Sequence, residues 1–287
     1  MTRNVVPNRV IVRGAGEMAS GVIRRLFMAG FEVIALEKPT PDCVRRYVCF
    51  AEAFFKGKVT VEGVTALLVD SAEKAIATAS NRYVPVLIDP EARQVPVLAP
   101  MAVVDSRMLK QKVDNGLGMA PVVIGLGPGF VAGENCHAAV ETERGIDLGR
   151  VIYNGSPRAD SGVPASVNGY THQRVVRSPV DGKFTSCCKI TDIVESGQVL
   201  GRVAGVSVVS RINGMVRGIV HDGLNVSTGQ KIGDVDPRCL QELCYKISDR
   251  ANAVGGGVLE ALLALKARHT HQSTCSTSLH RLQHQDR

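Results

Sequence analysis

Short apolar runs, each stopped by glycine or charge, organise the first half of this chain. Val10, Ile11 and Val12, flanked by Arg9 and Arg13, end at Gly14-Ala15-Gly16. Met18, Val22, Ile23, Leu26 and Phe27 then recur at helical spacing, and Gly30 stands where a helix C-cap glycine belongs. Residues 32–36 are apolar enough for a second strand, which is followed by Glu37. Strand, glycine turn, helix and strand in this order open a doubly wound α/β sheet. Runs at 64–69, 84–88, 102–104 and 122–126 predict further strands, the last ending in Gly125-Leu126-Gly127-Pro128-Gly129-Phe130. The pattern predicts a Rossmann-like domain over 8–130.

Residues 131–171 are glycine-rich and polar, with little periodicity, and read as a linking subdomain. A duplication follows. Shifted by 32, residues 178–203 recur as 210–235, with Ser178/Ser210, Gly182/Gly214, Val194/Val226, Gly197/Gly229, Gln198/Gln230, Gly201/Gly233 and Val203/Val235 identical. Asp181-Gly182 and Asn213-Gly214 are hairpin-turn dipeptides, so the repeat reads as β structure. Two half-units that cannot bury their faces alone pack into one small domain, here 172–237. The layout resembles the barrel-sandwich hybrid of biotinyl and lipoyl carriers. Those carriers hold a modified lysine at the hairpin joining the halves, whereas Ala204-Gly205-Val206-Ser207-Val208-Val209 has none. A docking or scaffolding module is therefore expected. A strand at 244–247, Gly255-Gly256-Gly257 and a helix over 258–266 fill a C-terminal segment, 238–267. Residues 268–287, almost without apolar content, predict a disordered tail.

Composition narrows the class. Of 287 residues 45% are hydrophobic and 21% charged, enough for a real core and for two domains. There is no Trp, so stacking platforms for nucleic acid are poorly supplied and no nucleic-acid partner is expected. The net charge of +7 suits an anionic ligand, although most Lys and Arg are scattered as on a solvated surface. Eight Cys form no C-x-x-C pair, and no apolar leader or membrane-length run is present. A cytoplasmic setting with free thiols is expected. Adjacent Cys187 and Cys188 would face opposite sides of a strand.

Candidate chemistry centres on the glycine turns. Gly14-x-Gly16-x-x-Ala19 follows a strand and opens a helix, whose N-terminus favours an anion. Glu37 lies about where a ribose-binding acid belongs. Gly127 and Gly129 end another strand, and both turns would face one crevice if they share an edge of the sheet. Arg45 and Arg46 suit a phosphate or carboxylate, or else a surface helix face. Each turn is equally readable as a tight connection that binds nothing. His137 and Glu141 are four apart but lack a third ligand at metal-site spacing, so no metal is expected. A Walker A loop, a G-x-S-x-G elbow and a Tyr-x-x-x-Lys dyad are all absent.

Taken together, VIVRGAGEMASGV, VRRYVCFAEAFFKGKVTVEGV, VIGLGPGFVAGENCHAAVETERGIDLGRVIYNGS, the repeat and ISDRANAVGGGVLEALLALK resemble the YqeB-type family of selenium-dependent molybdenum hydroxylase accessory proteins. The resemblance covers nearly all of 9–266. It implies a bacterial, cytoplasmic maturation factor whose partners are a molybdenum hydroxylase or other maturation proteins. Molybdenum cofactor or NAD(P) are then the candidate ligands of Gly14, Gly16, Glu37, Arg45, Arg46, Gly127 and Gly129. An NAD(P)-dependent oxidoreductase and a non-catalytic scaffold are the alternatives.

Overall fold

In the computed structural model, which describes residues 8–79, 83–111 and 113–282 (269–282 as helix backbone alone), the expected strands join one large sheet. It contains β1 (Arg9–Arg13), β2 (Glu32–Glu37), β3 (Lys58–Val61), β4 (Val64–Val69), β5 (Val84–Ile88), β6 (Ala102–Asp105), β7 (Val122–Leu126), β8 (Ala138–Val140) and β9 (Val151–Ile152). Their spatial order is β3-β4-β5-β2-β1-β6-β7-β8-β9. The interior pairs are parallel, while β3 with β4 and β8 with β9 are antiparallel. Successive side chains of a strand point to opposite faces. Val10 and Val12 accordingly pack on one layer with Val22, Ile23 and Leu26, and Ile11 packs on the other with Leu36, Leu87 and Leu98. Burial on both faces is why β1 reads as a continuous apolar run.

Helices α1 (Glu17–Met28), α2 (Ala53–Lys56), α3 (Ala72–Thr78) and α4 (Val95–Leu98) belong to the first hundred residues, and α5 (Asp249–Leu282) comes from the far end of the chain. Val254, Val258, Ala261 and Leu262 of α5 enter the core that α1 covers. Glycines govern the approach of these two helices. A Cβ on Gly21 would lie 2.5 Å from the Ala251 carbonyl, and one on Gly255 would lie 2.8 Å from that of Gly21. The glycine run expected ahead of the last helix is therefore inside it, as a contact surface.

The duplicated segment forms β10 (Val175–Arg177), β11 (Gly182–Ser186), β12 (Ile193–Val194), β13 (Val199–Val203), β14 (Val206–Val209), β15 (Gly214–Ile219), β16 (Asn225–Val226) and β17 (Lys231–Asp236). Two antiparallel sheets result, β10-β17-β15-β12 and β14-β13-β11-β16. Each contains strands from both copies, so neither copy makes a sheet of its own. The exchange is reciprocal. Ser178 donates its amide to the Gln230 carbonyl, and Ser210 donates its amide to that of Gln198, both at 2.9 Å. Gly229 and Gly197 donate back to the carbonyls of Ser178 and Ser210, both at 2.8 Å.

This architecture corrects the expected fold class. A Rossmann-like domain beside a duplicated barrel-sandwich hybrid is replaced by a large mixed sheet and two antiparallel sheets. A doubly wound domain needs a crossover helix between parallel neighbours. Among the described residues no α-helix links β6 to β7 or β7 to β8, and antiparallel hairpins close both ends of the sheet. Strands β8 and β9, from the segment expected to link two domains, extend that sheet. Cys244 ends a 3-10 helix, Gln241–Cys244, instead of starting a strand, because β15, which it packs against, is already paired on both sides. The tail expected from 268 onward falls almost wholly on residues whose side chains lie outside those described.

Candidate functional site

Parallel pairing in register lines up the carboxyl ends of the central strands. Arg13 stands beside Leu36 on one side and Asp105 on the other, and Asp105 stands beside Gly125. In open α/β sheets such an edge is where ligands sit. The first glycine turn leaves β1 here. Gly14 has φ +97°, a left-handed conformation that favours glycine, and its amide bonds the Leu36 carbonyl at 2.6 Å. Gly16 has φ −70° and enters α1 with no side chain capping the helix. Among the described residues, the only neighbour a Cβ on Gly16 would meet is Cys43 Sγ, at 3.5 Å.

Glu37 is turned into this loop. Its Oε2 accepts from the Ala15 amide at 2.7 Å and its Oε1 from the Lys38 amide at 2.8 Å. Burial raises the carboxyl above its ordinary value, against the pull of those amides. Glu141, at the end of β8, is held in the same way: its oxygens take the amides of Thr142, Glu143 and Arg158. His137 is on no helix with it. It precedes β8, and its Nδ1 accepts from the Val123 amide at 3.0 Å.

The paired arginines part company. Arg45 reaches Glu17 in the first turn of α1 and the carbonyls of Leu243 and Lys246. Burial raises the Glu17 carboxyl, but Arg45, Arg217 and Lys231 outweigh it and hold the group below its ordinary value. Arg46 turns to the β module, where its Nε donates to the Ile219 carbonyl at 2.7 Å. Nearby, His221 Nε2 lies 2.5 Å from buried Glu52, with its ring over Phe55. Both guanidiniums thus tie the segment after β2 to the rest of the molecule, and only Arg45 is near the turn. The same segment brings Cys49 against Cys43. The Cys43 thiol, and then burial, push the Cys49 thiol well above its ordinary value.

Gly127 and Gly129 approach the edge from the other side. A Cβ on Gly127 would lie 3.3 Å from Met108 and Leu109 backbone, and the Gly129 amide already bonds the Leu109 carbonyl at 2.9 Å. A Cβ on Gly14 would lie 3.6 Å from Arg107. Both turns therefore flank one segment, 106–116, that follows β6.

Sequence reasoning missed the charged residues under that segment. Arg13 (1% exposed) and Asp105 (0%) face each other at 3.6 Å. Arg107 Nε reaches Asp105 at 3.0 Å, and Asp114 is gripped by both Arg13 and Arg107. The signal was present. Arg13 and Asp105 end apolar strands, positions that point at the crevice, but a charge there also reads as a strand terminator. Among the described residues no group of three His, Cys, Asp or Glu side chains is placed to hold a metal ion. Between β4, β5 and α3, Leu68, Val69, Asp70, Lys74, Thr78 and Leu87 line a concavity of about 520 Å³, whose charged groups, Asp70 and Lys74, are exposed and paired with each other.

No family model matches the chain. It is 46% identical over 256 residues to the uncharacterized protein YqeB of Escherichia coli (strain K12), across 89% of this chain and 47% of that protein. This likeness supports the YqeB family, and the chain spans about half the length of that relative. Solved structures with some similarity include a succinylglutamate desuccinylase/aspartoacylase from Rhodobacter sphaeroides, at 14% identity, 50% of this chain, 60% of that one and TM-score 0.23. An aspartoacylase family protein from Mesorhizobium loti shows 12% identity, 80% and 84% coverage and TM-score 0.25. Likenesses this weak establish no activity. Among the described residues no helix is long and apolar enough to cross a membrane.

Proposed function

We propose that this chain is a cytoplasmic accessory factor in the maturation of selenium-dependent molybdenum hydroxylases, and that it binds a phosphorylated ligand at the carboxyl edge of its large sheet. The resemblance of the sequence motifs to that accessory family is what suggests the pathway. The binding reading is carried by one observation: α1 starts at a glycine turn with no side-chain cap, beside a buried arginine. The unsatisfied amides of a helix's first turn and its dipole favour an anion. The donors present fit the phosphates of a nucleotide or of the pterin-dinucleotide molybdenum cofactor. Amides of the first turn of α1 and the guanidiniums of Arg13 and Arg107 would hold them. Bound there, the cofactor would supply the redox chemistry of its metal, while the chain's own part is to bind and orient it.

The two alternatives draw less support. In a nicotinamide enzyme Glu37 would serve a ribose, yet both its oxygens are engaged by Ala15 and Lys38. A pure scaffold would not need an uncapped helix over a charged crevice.

The test is mass spectrometry of small molecules released from the purified chain, with Gly16→Val alongside. A Cβ at Gly16 makes only an ordinary contact, so the variant folds. Its branched side chain would stand where the phosphate approaches. A nucleotide or pterin phosphate released by the parent and lost from the folded variant is the expected result. Equal release from both would remove the ligand from this turn, and no phosphorylated compound from the parent would contradict the binding reading.

A further inference from the structure

Asp114 sits on the 106–116 segment with half of its side chain exposed (50%), yet two guanidiniums converge on it. Arg13 gives it two hydrogen bonds, Nη1 to Oδ1 at 3.1 Å and Nη2 to Oδ2 at 2.9 Å. Arg107 adds Nη1 to Oδ2 at 3.3 Å and a short contact from Nη2 to Oδ1. A surface carboxylate does not ordinarily receive two forked guanidiniums, one of them on a fully buried arginine. Burial would raise its pKa, but the two arginines hold it far below the usual carboxylate range.

Counting donors shows that a carboxylate does not exhaust this place. Arg13 Nε, Asn115 Nδ2 beside it, and the hydroxyl of Ser106 (5% exposed), whose amide bonds the Arg13 carbonyl at 2.9 Å, are buried without a hydrogen-bond partner among the described residues. Buried donors are almost always satisfied. Asp114 brings two acceptor oxygens, whereas the donors present suit a group with three. Charge points the same way. Arg13 and Arg107 are balanced by Asp105 and Asp114, so removing Asp114 leaves a buried net charge of +1.

We infer that Arg13, Ser106 and Arg107 form a phosphoryl-binding site held closed by Asp114, an internal carboxylate that a phosphorylated ligand displaces. The inference rests on the reading above in placing such a ligand at this edge, and adds how the edge is gated. When the ligand enters, the half-exposed Asp114 side chain turns out to solvent, while Ser106 and Arg107 keep their places just after β6. Ser106 then donates to the third oxygen.

The experiment is calorimetric titration of inorganic pyrophosphate into the full chain, Asp114→Asn, Asp114→Ser and Arg107→Ala/Asp114→Asn, with acetate as a second probe. Both single variants should bind pyrophosphate at least about tenfold more tightly than the parent, because the competing charge is gone. The double variant should fall back to the parent's affinity or below. Two Asp114 variants are used so that one poorly folded protein does not decide the matter. Unchanged affinity in both, or no binding to any form, would overturn the gate. Acetate binding as tightly as pyrophosphate would overturn the phosphoryl assignment. Gly16→Val keeps the two claims apart: if it loses pyrophosphate while the Asp114 variants gain nothing, the ligand site stands and the gate falls.

Discussion

Ser178 and Ser210, one in each copy of the β module, give their hydroxyl hydrogens to the carbonyls of Val180 and Ile212 at 2.6 and 2.7 Å. Ser106, as well buried at the edge of the large sheet, gives its hydroxyl to no described group. The contrast extends to the buried ion pairs. Asp234 in the module lies between Arg174 at 2.7 Å and Arg217 at 2.8 Å. Asp105 at the sheet edge lies between Arg13 and Arg107 in a similar way, but the second carboxylate there, Asp114, is half exposed, whereas Asp236, the second partner of Arg217, is buried. A carboxylate sealed between arginines inside the fold specifies structure, whereas one held by arginines at the surface occupies a place that an anion from outside can compete for.

The comparison breaks most visibly if the module's network is not structural. Asp234→Ala leaves Arg174 and Arg217 without their common partner and should cost ~3–5 kcal/mol, the range for breaking a buried pair. Chemical denaturation measures it, and a loss below ~1 kcal/mol would mean that these pairs are mere surface decoration. The same carboxyl sets a pH dependence. Burial raises its pKa, but Lys231, Arg217 and Arg174 lower it to about 2, below the ordinary aspartate value of 3.8. A depressed acid stabilises the fold above its unfolded value, and this contribution is lost as pH falls from about 3.8 toward about 2. Asp234→Ala should flatten that part of the acid-stability curve.

A smaller effect sharpens the internal symmetry. Ser178→Ala and Ser210→Ala each remove one buried hydrogen bond and should each cost ~1–2 kcal/mol. Because the two serines hold equivalent places, the losses should agree within ~0.5 kcal/mol, measured by denaturant midpoints. Clearly unequal losses would show that the copies carry unequal loads. Ser106→Ala, the counterpart at the sheet edge, breaks no bond and should change stability by less than ~0.5 kcal/mol, while weakening pyrophosphate binding. A stability loss matching that of Ser210→Ala would place Ser106 among the structural serines.

These contrasts also explain what could be read from the chain. The strands at 84–88 and 122–126 were legible because a run buried on both faces leaves an unmistakable composition. The duplication was legible because each copy's serine and Gly-Gln turn must match the other's. The fold class was not, since Gly14 and the following helix describe one crossover, whereas the class depends on links such as β6 to β7, whose described residues form no α-helix. Gly255 read as a helix breaker because nothing local reveals Gly21, the partner that requires it. The site was legible only in its glycines. Glu37 and Arg45 were noticed as charges for a ligand, but their partners proved to be Ala15, Lys38 and Glu17. Arg13 and Asp105 were passed over because their pairing needs the register of β1 with β6.

The smallest expected effect concerns the hairpin between the halves of the module. Ala204 and Gly205, with φ +46° and +85°, make a tight turn from β13 into β14 with no lysine at its tip. Intact-mass measurement of the chain made alongside active biotinyl and lipoyl ligases should show no increment. An added mass mapping to 172–237 would make the module a carrier.

The central claim is that the carboxyl edge of the large sheet, and not the β module, is where a phosphorylated ligand binds. Backbone amide NMR of the full chain during pyrophosphate titration tests it most directly. The account predicts saturable shifts at Gly14 to Met18 and through 105–116, with the amides of Ser178, Gly197, Ser210 and Gly229 unmoved. Shifts confined to the β module, with the glycine turn silent, would contradict it.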